Sequence, residues 1–214
     1  DGRPFVANSK MILDLVVSEM FGENAFVAHL DGRDDCVVID PGFDADGIIA
    51  HVEQKELTPA AILNTHGHAD HIAGNEFLKR CWPDCPLIIG RGDAHKLSDP
   101  TANLSAQYGL GLTSPPADQL VDEGDVIELA GFRLEVLETP GHSSGHVVFV
   151  ERGDPAVVFG GDVLFREGIG RTDFPDGSSE QLVASIRDKL FTMDDATIVL
   201  PGHGEPTTVA HERR

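Results

Sequence analysis

Histidine is distributed unevenly along this sequence. Three of its ten histidines, His66, His68 and His71, fall in the segment THGHADH together with Asp70. Imidazole nitrogens and carboxylate oxygens are ligands for zinc, iron and manganese. His66 and His68, two residues apart on a turn, can converge on one ion, whereas the adjacent Asp70 and His71 project differently and can serve a second. The segment therefore predicts a metal site.

Three further segments place a His or an Asp directly after an apolar, strand-like stretch. TPGHSSGH contains His142, VVFGGDVLF contains Asp162, and IVLPGHGEPT contains His203. The ends of strands are where α/β sheets present the residues that do chemistry. Together with THGHADH, these segments indicate a site for two neighbouring metal ions, which need about six or seven side chains as ligands.

The elements that must position these residues follow from the pattern of apolar and turn-forming residues. Residues 99–120 are rich in Pro and Gly and are predicted to form a long loop or a short helical cover. The predicted strands are 11–18, 24–30, 36–40, 60–65, 86–90, 126–129, 132–138, 146–151, 156–160 and 196–200, and the predicted helices are 44–56, 71–80, 92–98 and 179–190. Strands, then β-to-α alternation, then strands and a helix again predict an α/β sandwich of two packed sheets with helices outside.

Charge and composition exclude several classes of partner. The 214 residues include 36 acidic and 16 basic ones, for a formal net charge of −20, which disfavours nucleic acid and anionic membranes. No apolar run approaches the roughly 20 residues of a membrane-spanning helix. Three cysteines are an odd number, which is typical of a reducing compartment, so we expect a cytoplasmic protein with a small-molecule partner. The oligomeric state stays undetermined.

The four motifs THGHADH, TPGH, GGD and PGH, in this order, resemble the metallo-β-lactamase-fold hydrolase superfamily from about residue 24 onward. The resemblance implies an αββα four-layer sandwich that forms one metallo-hydrolase domain over residues 1–214. It also implies a role for each candidate ligand. His66, His68 and His142 would bind one ion, Asp70, His71 and His203 the other, with Asp162 bridging the two ions and Asp40 of VVIDPG supporting the ligand loop.

Within the superfamily, GDVLFREGIGRTDFPDGS and DPTANLS are similar to short, single-domain relatives of glyoxalase II, the hydroxyacylglutathione hydrolases. This implies hydrolysis of thioesters such as S-lactoylglutathione, with two divalent ions (zinc, iron or manganese) sharing the attacking hydroxide. Asp70 is the predicted catalytic residue, because it can orient that hydroxide or take its proton. Eleven residues follow His203, so we expect no helical C-terminal domain of the glyoxalase II type. Substrate-binding residues stay unknown.

The segment GRTDF is also similar to the persulfide dioxygenases, which share the fold and the histidine pattern. That resemblance implies a single iron held by His66, His142 and Asp162, with open positions for oxygen and a thiol. The candidate ligands are common to both functions and do not separate them. In either case Arg171 and Asp173 pair with each other or brace the metal loop.

Overall fold

The central strands bury side chains on both faces, and this requires cover on two sides. In the strand Asp35–Ile39, Val37 and Ile39 belong to one apolar cluster, whereas Cys36 and Val38 belong to another. Successive residues of a strand point to opposite faces of the sheet. The computed structural model describes residues 10–214 and provides a second sheet on one side and helices on the other.

Residues 10–214 form fourteen strands, five α-helices and three short 3-10 helices. The strands are β1 (Met11–Val17), β2 (Asn24–Leu30), β3 (Asp35–Ile39), β4 (Thr58–Asn64), β5 (Leu87–Gly90), β6 (Gln119–Val121), β7 (Val126–Leu129), β8 (Phe132–Glu138), β9 (Val147–Glu151), β10 (Val157–Gly161), β11 (Leu164–Phe165), β12 (Gly168–Ile169), β13 (Ile198–Pro201) and β14 (Thr207–Thr208). The α-helices are α1 (Ala45–Gln54), α2 (Ala69–Ile72), α3 (Asn75–Cys81), α4 (Ser179–Asp188) and α5 (Val209–Glu212).

The strands form two six-stranded sheets and one small hairpin. The first sheet has the order β1-β2-β3-β4-β5-β6, antiparallel from β1 to β3 and parallel from β3 to β6. The second has the order β14-β13-β10-β9-β8-β7 and is antiparallel except for the parallel pair β10 and β13. Strands β11 and β12 form the hairpin.

Three apolar clusters hold four layers together. One lies between the sheets and includes Phe26 of the first sheet and Phe159 of the second, whose ring centroids are 6.0 Å apart. A second joins the outer face of the first sheet to α1 and α3, and a third joins the outer face of the second sheet to α4. The order helix, sheet, sheet, helix confirms the predicted αββα sandwich. Residues 1–9 of the predicted domain lie outside the described residues.

The predicted helix 71–80 is wrong in one respect, because the structure divides it into α2 and α3. The interruption lies at Gly74, whose backbone N–H donates to the carbonyl oxygen of Pro41 at 2.7 Å. A Cβ at Gly74 would lie 2.8 Å from the same oxygen, so the chain passes here too closely for a side chain. The carbonyl oxygen of Pro41 therefore accepts the Gly74 N–H that a continuous helix would use for its own hydrogen bond.

Other differences concern short elements. The predicted helix 92–98 is a 3-10 helix, Arg91–Ser98. The segment 99–120, predicted as a long loop or short helical cover, contains the 3-10 helix Ser105–Tyr108 and, beyond the prediction, most of β6. The elements β11, β12, β14 and α5 have two to four residues each, too few for a recognisable period. No helix within residues 10–214 is both long and apolar enough to cross a membrane.

Candidate metal centre

All seven candidate ligands lie at one edge of the sandwich, where strands of both sheets end. His66 and His68 follow β4, and α2 carries Asp70 and His71 immediately after them. His142 follows β8, while Asp162 and His203 follow β10 and β13. Because β10 and β13 are parallel neighbours, the residues after them emerge side by side. The fold thus brings together segments that are up to about 140 residues apart.

The first group of donors consists of His66, His68 and His142. Each offers one ring nitrogen within 4.8 Å of the others, and all three side chains are buried. Nδ1 of His68 lies 2.9 Å from Nε2 of His142. Nε2 of His66 is buried and has no hydrogen-bond partner. A buried imidazole nitrogen without a partner is costly unless something else binds it.

The second group consists of Asp70, His71 and His203, whose donor atoms also lie within 4.8 Å of one another. Nε2 of His203 is 3.2 Å from Oδ2 of Asp70. Nε2 of His71, 3.7 Å from the same oxygen, is buried without a hydrogen-bond partner. This group is more open to solvent than the first, since Asp70 and His203 are partly exposed.

Asp162 lies between the two groups. Its Oδ2 is 3.4 Å from Nε2 of His142 and 3.6 Å from Nε2 of His203. Its Oδ1 is 3.5 Å from Nε2 of His71 and accepts no hydrogen bond. Donors on a tetrahedral ion at about 2.0–2.1 Å lie roughly 3.3–3.4 Å apart. These separations are long for hydrogen bonds and suit donors that share an ion, so the residues fit a metal.

Burial and neighbouring charges shift the pKa values of the candidate ligands in different directions. Burial lowers the pKa of His66 well below its ordinary value, and the neighbouring histidines lower it further, so its nitrogen keeps a free lone pair. Burial also acts to lower the pKa of His71, but the carboxylates of Asp70 and Asp162 outweigh it and raise that pKa well above its ordinary value. Burial acts to raise the pKa of Asp70, and His71 and His203 outweigh it, so this pKa is lowered.

Asp40 orients His71 and the strand end before the ligand loop. Its Oδ1 accepts the Thr65 N–H at 2.7 Å, and its Oδ2 accepts the Thr65 hydroxyl at 2.7 Å and Nδ1–H of His71 at 3.1 Å. When His71 is neutral, as ligation requires, this contact keeps its proton on Nδ1 and its lone pair on Nε2, which faces the second group. Both oxygens of Asp40 already accept hydrogen bonds, so its contacts are those of a support and not of a ligand.

Arg171 and Asp173 form a bidentate ion pair with each other, at 2.9 and 2.8 Å, and both side chains are exposed. The guanidinium also lies over the ring of Phe174, 4.7 Å from its centroid. The contact of Arg171 with the metal centre is through its backbone, whose carbonyl oxygen accepts Nδ1–H of His142 at 2.8 Å. The side-chain hydrogen bonds of Asp173 within residues 10–214 go to Arg171 and not to a candidate ligand.

His146 stands outside the predicted ligand set, and its ring stacks on that of His66 at 4.9 Å. Its Nε2 accepts the backbone N–H of Asp162 at 3.1 Å, so Nδ1–H donates to the Thr139 hydroxyl at 3.0 Å. It therefore supports two candidate ligands, His66 through ring stacking and Asp162 through its backbone N–H.

Sequence reasoning missed a further buried pair, Asp93 and Lys96, because an Asp three residues before a Lys is a common surface pattern.

A cavity of about 300 Å³ opens above the two groups. Candidate ligands from both groups form its floor. Its walls are mainly apolar and aromatic, and include Phe21, Leu104, Tyr108, Leu110, Phe165 and Phe174. Tyr108 comes from the long loop and packs edge-on against Phe21 at 5.5 Å. A substrate bound in this cavity would contact the candidate ligands at the floor and apolar side chains at the walls.

Curated relatives with related sequences cover nearly the whole chain. The family model described as the metallo-beta-lactamase superfamily matches residues 20–203. The chain is 40% identical over 181 residues to the probable metallo-hydrolase YqgX of Bacillus subtilis (strain 168), covering 84% of this chain and 85% of the relative. It is 36% identical over 211 residues to the hydroxyacylglutathione hydrolase GloC of Haemophilus influenzae, covering 95% and 96%.

Solved structures agree with the sequence comparison. The BLEG-1 B3 metallo-beta-lactamase has a TM-score of 0.89 at 35% identity, covering 94% of this chain and 96% of that one. TTHA1623 in a di-iron-bound form has a TM-score of 0.81 at 34% identity, covering 94% and 97%. ETHE1 from Myxococcus xanthus has a TM-score of 0.77 at 27% identity, covering 95% and 82%. The chain therefore belongs to the metallo-beta-lactamase superfamily, as a metallo-hydrolase with that family's fold.

Proposed function

We propose that this protein hydrolyses thioesters, in the manner of the hydroxyacylglutathione hydrolases, with two divalent ions as cofactors. The position of Asp162 carries the proposal. Its Oδ2 lies 3.4 Å from Nε2 of His142 in the first group and 3.6 Å from Nε2 of His203 in the second, and its Oδ1 lies 3.5 Å from Nε2 of His71 in the second. A carboxylate between two groups of three donors is the arrangement that a two-metal site needs.

The proposed ligands divide into the two groups described above, with zinc, iron or manganese as the candidate ions. Ions bound there would activate a water near neutral pH and polarise a carbonyl oxygen. The chain's own contribution is to present His68 and His142, whose pKa values burial lowers, together with the carboxylate of Asp70 at that floor. Asp70 has a lowered pKa and borders the cavity, so it can orient the attacking water or accept its proton.

Thioester as the substrate class is supported by the leaving group and by the relatives. A thiol has a pKa of about 8.5, so it departs with little protonation, and no strong general acid is needed in the cavity. The similarity to GloC over 95% of this chain supports an S-acylglutathione such as S-lactoylglutathione. The aromatic wall formed by Phe165 and Phe174 suits an acyl or thiol chain.

The unpaired cysteines Cys36, Cys81 and Cys85 support the proposed cytoplasmic location.

Persulfide oxidation by a single iron is the second candidate. Its proposed ligands are His66, His142 and Asp162, a set of two histidines and one carboxylate that leaves coordination positions open. The observation that favours it is the position of GRTDF, since Phe174 packs against His142 at 5.3 Å and Arg171 lines the same cavity. A thiol or persulfide in this cavity would therefore meet the segment shared with the persulfide dioxygenases.

The deciding experiment compares zinc-loaded and iron-loaded protein on two substrates. We expect loss of the S-lactoylglutathione thioester with release of lactate and free thiol, and a turnover reduced about 100-fold or more in Asp70→Asn. Asp44→Asn is the matched control, because Asp44 caps α1 and asparagine caps as well. Oxygen uptake with glutathione persulfide by iron-loaded protein, without thioester hydrolysis, would establish the second candidate instead.

A further inference from the structure

Lys96 is a lysine buried as fully as the apolar core. It lies in the 3-10 helix Arg91–Ser98 and is 1% exposed. Its Nζ donates to Ser143 Oγ and to Asp176 Oδ2, both at 2.7 Å, and lies 3.5 Å from Asp93 Oδ1. Burying an ammonium group is costly unless partners compensate it closely. The cluster persists because three separate segments supply those partners.

Asp93, fully buried beside Lys96, joins the two loops that carry the first group of histidines. Its Oδ2 accepts the N–H of Gly67, the residue between two of those histidines, at 2.8 Å, and also the hydroxyl of Ser143. Its Oδ1 accepts the N–H of Gly145 at 2.8 Å. Ser143 directly follows His142. One carboxylate thus holds both loops at a fixed separation.

Glycines let the 91–98 segment approach these loops without intervening side chains. A Cβ on Gly67 would lie 2.6 Å from Cβ of Lys96. A Cβ on Gly145 would overlap the backbone of Gly92 and Asp93. Such contact leaves no room for relaxation, so a shift of Asp93 or Lys96 moves the ligand loops with it.

Asp176 extends the cluster to the wall of the cavity. Besides the bond from Lys96, its Oδ2 accepts the N–H of Ser144 at 3.0 Å. Asp176 follows Phe174, whose ring packs on His68 at 5.0 Å. Lys96 therefore links the turn after the first group's last histidine to the segment that forms one side of the cavity.

The second group has different supports. His71 is held by Asp40 through its ring and by Asn64, whose Nδ2 donates to the His71 carbonyl oxygen at 3.1 Å. Within residues 10–214, the side-chain hydrogen bonds of Asp93 and Lys96 reach the loops of the first group and Asp176, and not the second group. The two candidate ion positions thus have separate supporting structures.

We propose that Asp93 and Lys96 are positioning residues for the ion held by His66, His68 and His142, and that they set its affinity independently of the second ion. The inference rests on the proposed ligand sets. In Asp93→Asn an amide NH₂ replaces one carboxylate oxygen and faces a backbone N–H that needs an acceptor, so the two loops lose their fixed separation.

The test is a zinc titration of metal-free protein against a chromophoric chelator. We expect wild-type protein to bind two ions, and Asp93→Asn to bind one of them about 10–100-fold more weakly and the other within about threefold. His203→Ala removes a ligand of the second group, so in that background Asp93→Asn weakens the remaining site by the same factor. Val52→Ala removes buried methyl groups between α1 and the first sheet, so it controls for a general loss of stability. We expect it to leave both affinities unchanged.

Ser143→Ala is a gentler variant that decides the matter if Asp93→Asn does not fold, because it removes only the hydroxyl between Asp93 and Lys96. We expect it to weaken the same site about threefold. Unchanged affinities in both variants would overturn the inference, as would equal weakening of both sites. Wild-type protein that binds neither zinc, iron nor manganese in the same titration would refute the proposed function, which distinguishes the two failures.

Discussion

Replacement of Asp40 by asparagine tests how this fold selects the ligating nitrogen of His71. Asparagine preserves the shape and tolerates the left-handed backbone at this position, where φ is 48°. Its oxygen can still accept the Thr65 N–H. Its NH₂ group, however, then faces Nδ1 of His71, which currently donates a proton to Asp40 Oδ2 at 3.1 Å. The imidazole proton must move to Nε2, where it blocks the lone pair that faces the second group.

The magnitude follows from the loss of a buried, charge-assisted hydrogen bond that orients a ligand. Such supporting groups are worth about 10–100-fold in metal affinity, which corresponds to roughly 1.4–2.7 kcal/mol. The Thr65 hydroxyl oxygen lies 3.1 Å from Nδ1 of His66, and it can accept from the new amide while it still accepts Nδ1–H of His66. His66 therefore keeps its lone pair on Nε2, and we assign the effect on metal affinity to His71. The first group keeps all three histidines, so its affinity changes little.

The assay is a zinc titration of metal-free protein, with Asp44→Asn as the control. We expect Asp40→Asn to retain one tight ion and to bind the second 10–100-fold more weakly, the opposite selectivity to that expected of Asp93→Asn. Two ions bound with wild-type affinity in Asp40→Asn would refute the tautomer argument. Loss of both ions would show that Asp40 supports the whole strand end and not one ligand.

Three further predictions concern stability and metal loading. Burial raises the pKa of Glu23 well above its ordinary value of 4.5, so the free energy of unfolding of the metal-free protein falls as pH rises above that value. Glu23→Gln should lack this contribution. The same pH dependence of the free energy of unfolding in wild type and Glu23→Gln between about pH 5 and 8 would contradict the argument. Gly141→Ala places a Cβ against the Leu182 backbone at φ 137°, so we expect about 2 kcal/mol or more of destabilisation by urea unfolding, whereas Gly168→Ala, with open space around it, should unfold as wild type does. Saturating zinc should raise the free energy of unfolding by about 2.7 kcal/mol per ion at 100 times Kd. His66→Ala should show a smaller increase and a lower metal content. An unchanged metal content would exclude His66 as a ligand, and full activity despite confirmed metal loss would refute the metal-dependent mechanism.

Much of the fold could be predicted because its signals are local. Strands such as β2 and β8 combine apolar residues with flanking turns, and α1 has buried residues at helical spacing. The break between α2 and α3 could not be predicted, because it depends on a contact of Gly74 with Pro41, 33 residues earlier. Elements of two or three residues, such as β6 and β11, are defined by pairing partners and not by a pattern of their own.

The candidate site divides in the same way. The ligand types and their places after strands are written in the sequence, since His66, His142 and His203 each stand in a short motif with its own turn. Which donors face one another, and that Asp162 lies between two groups, depends on where the strand ends meet. The roles of Asp93 and Lys96 depend entirely on how these strand ends and loops meet, because their hydrogen-bond partners are up to 80 residues away. Ligand chemistry is a property of residue type and is carried by the sequence alone. The pairing of donors with their supports is a property of distances, which arise only when two sheets pack and bring remote loops to one edge.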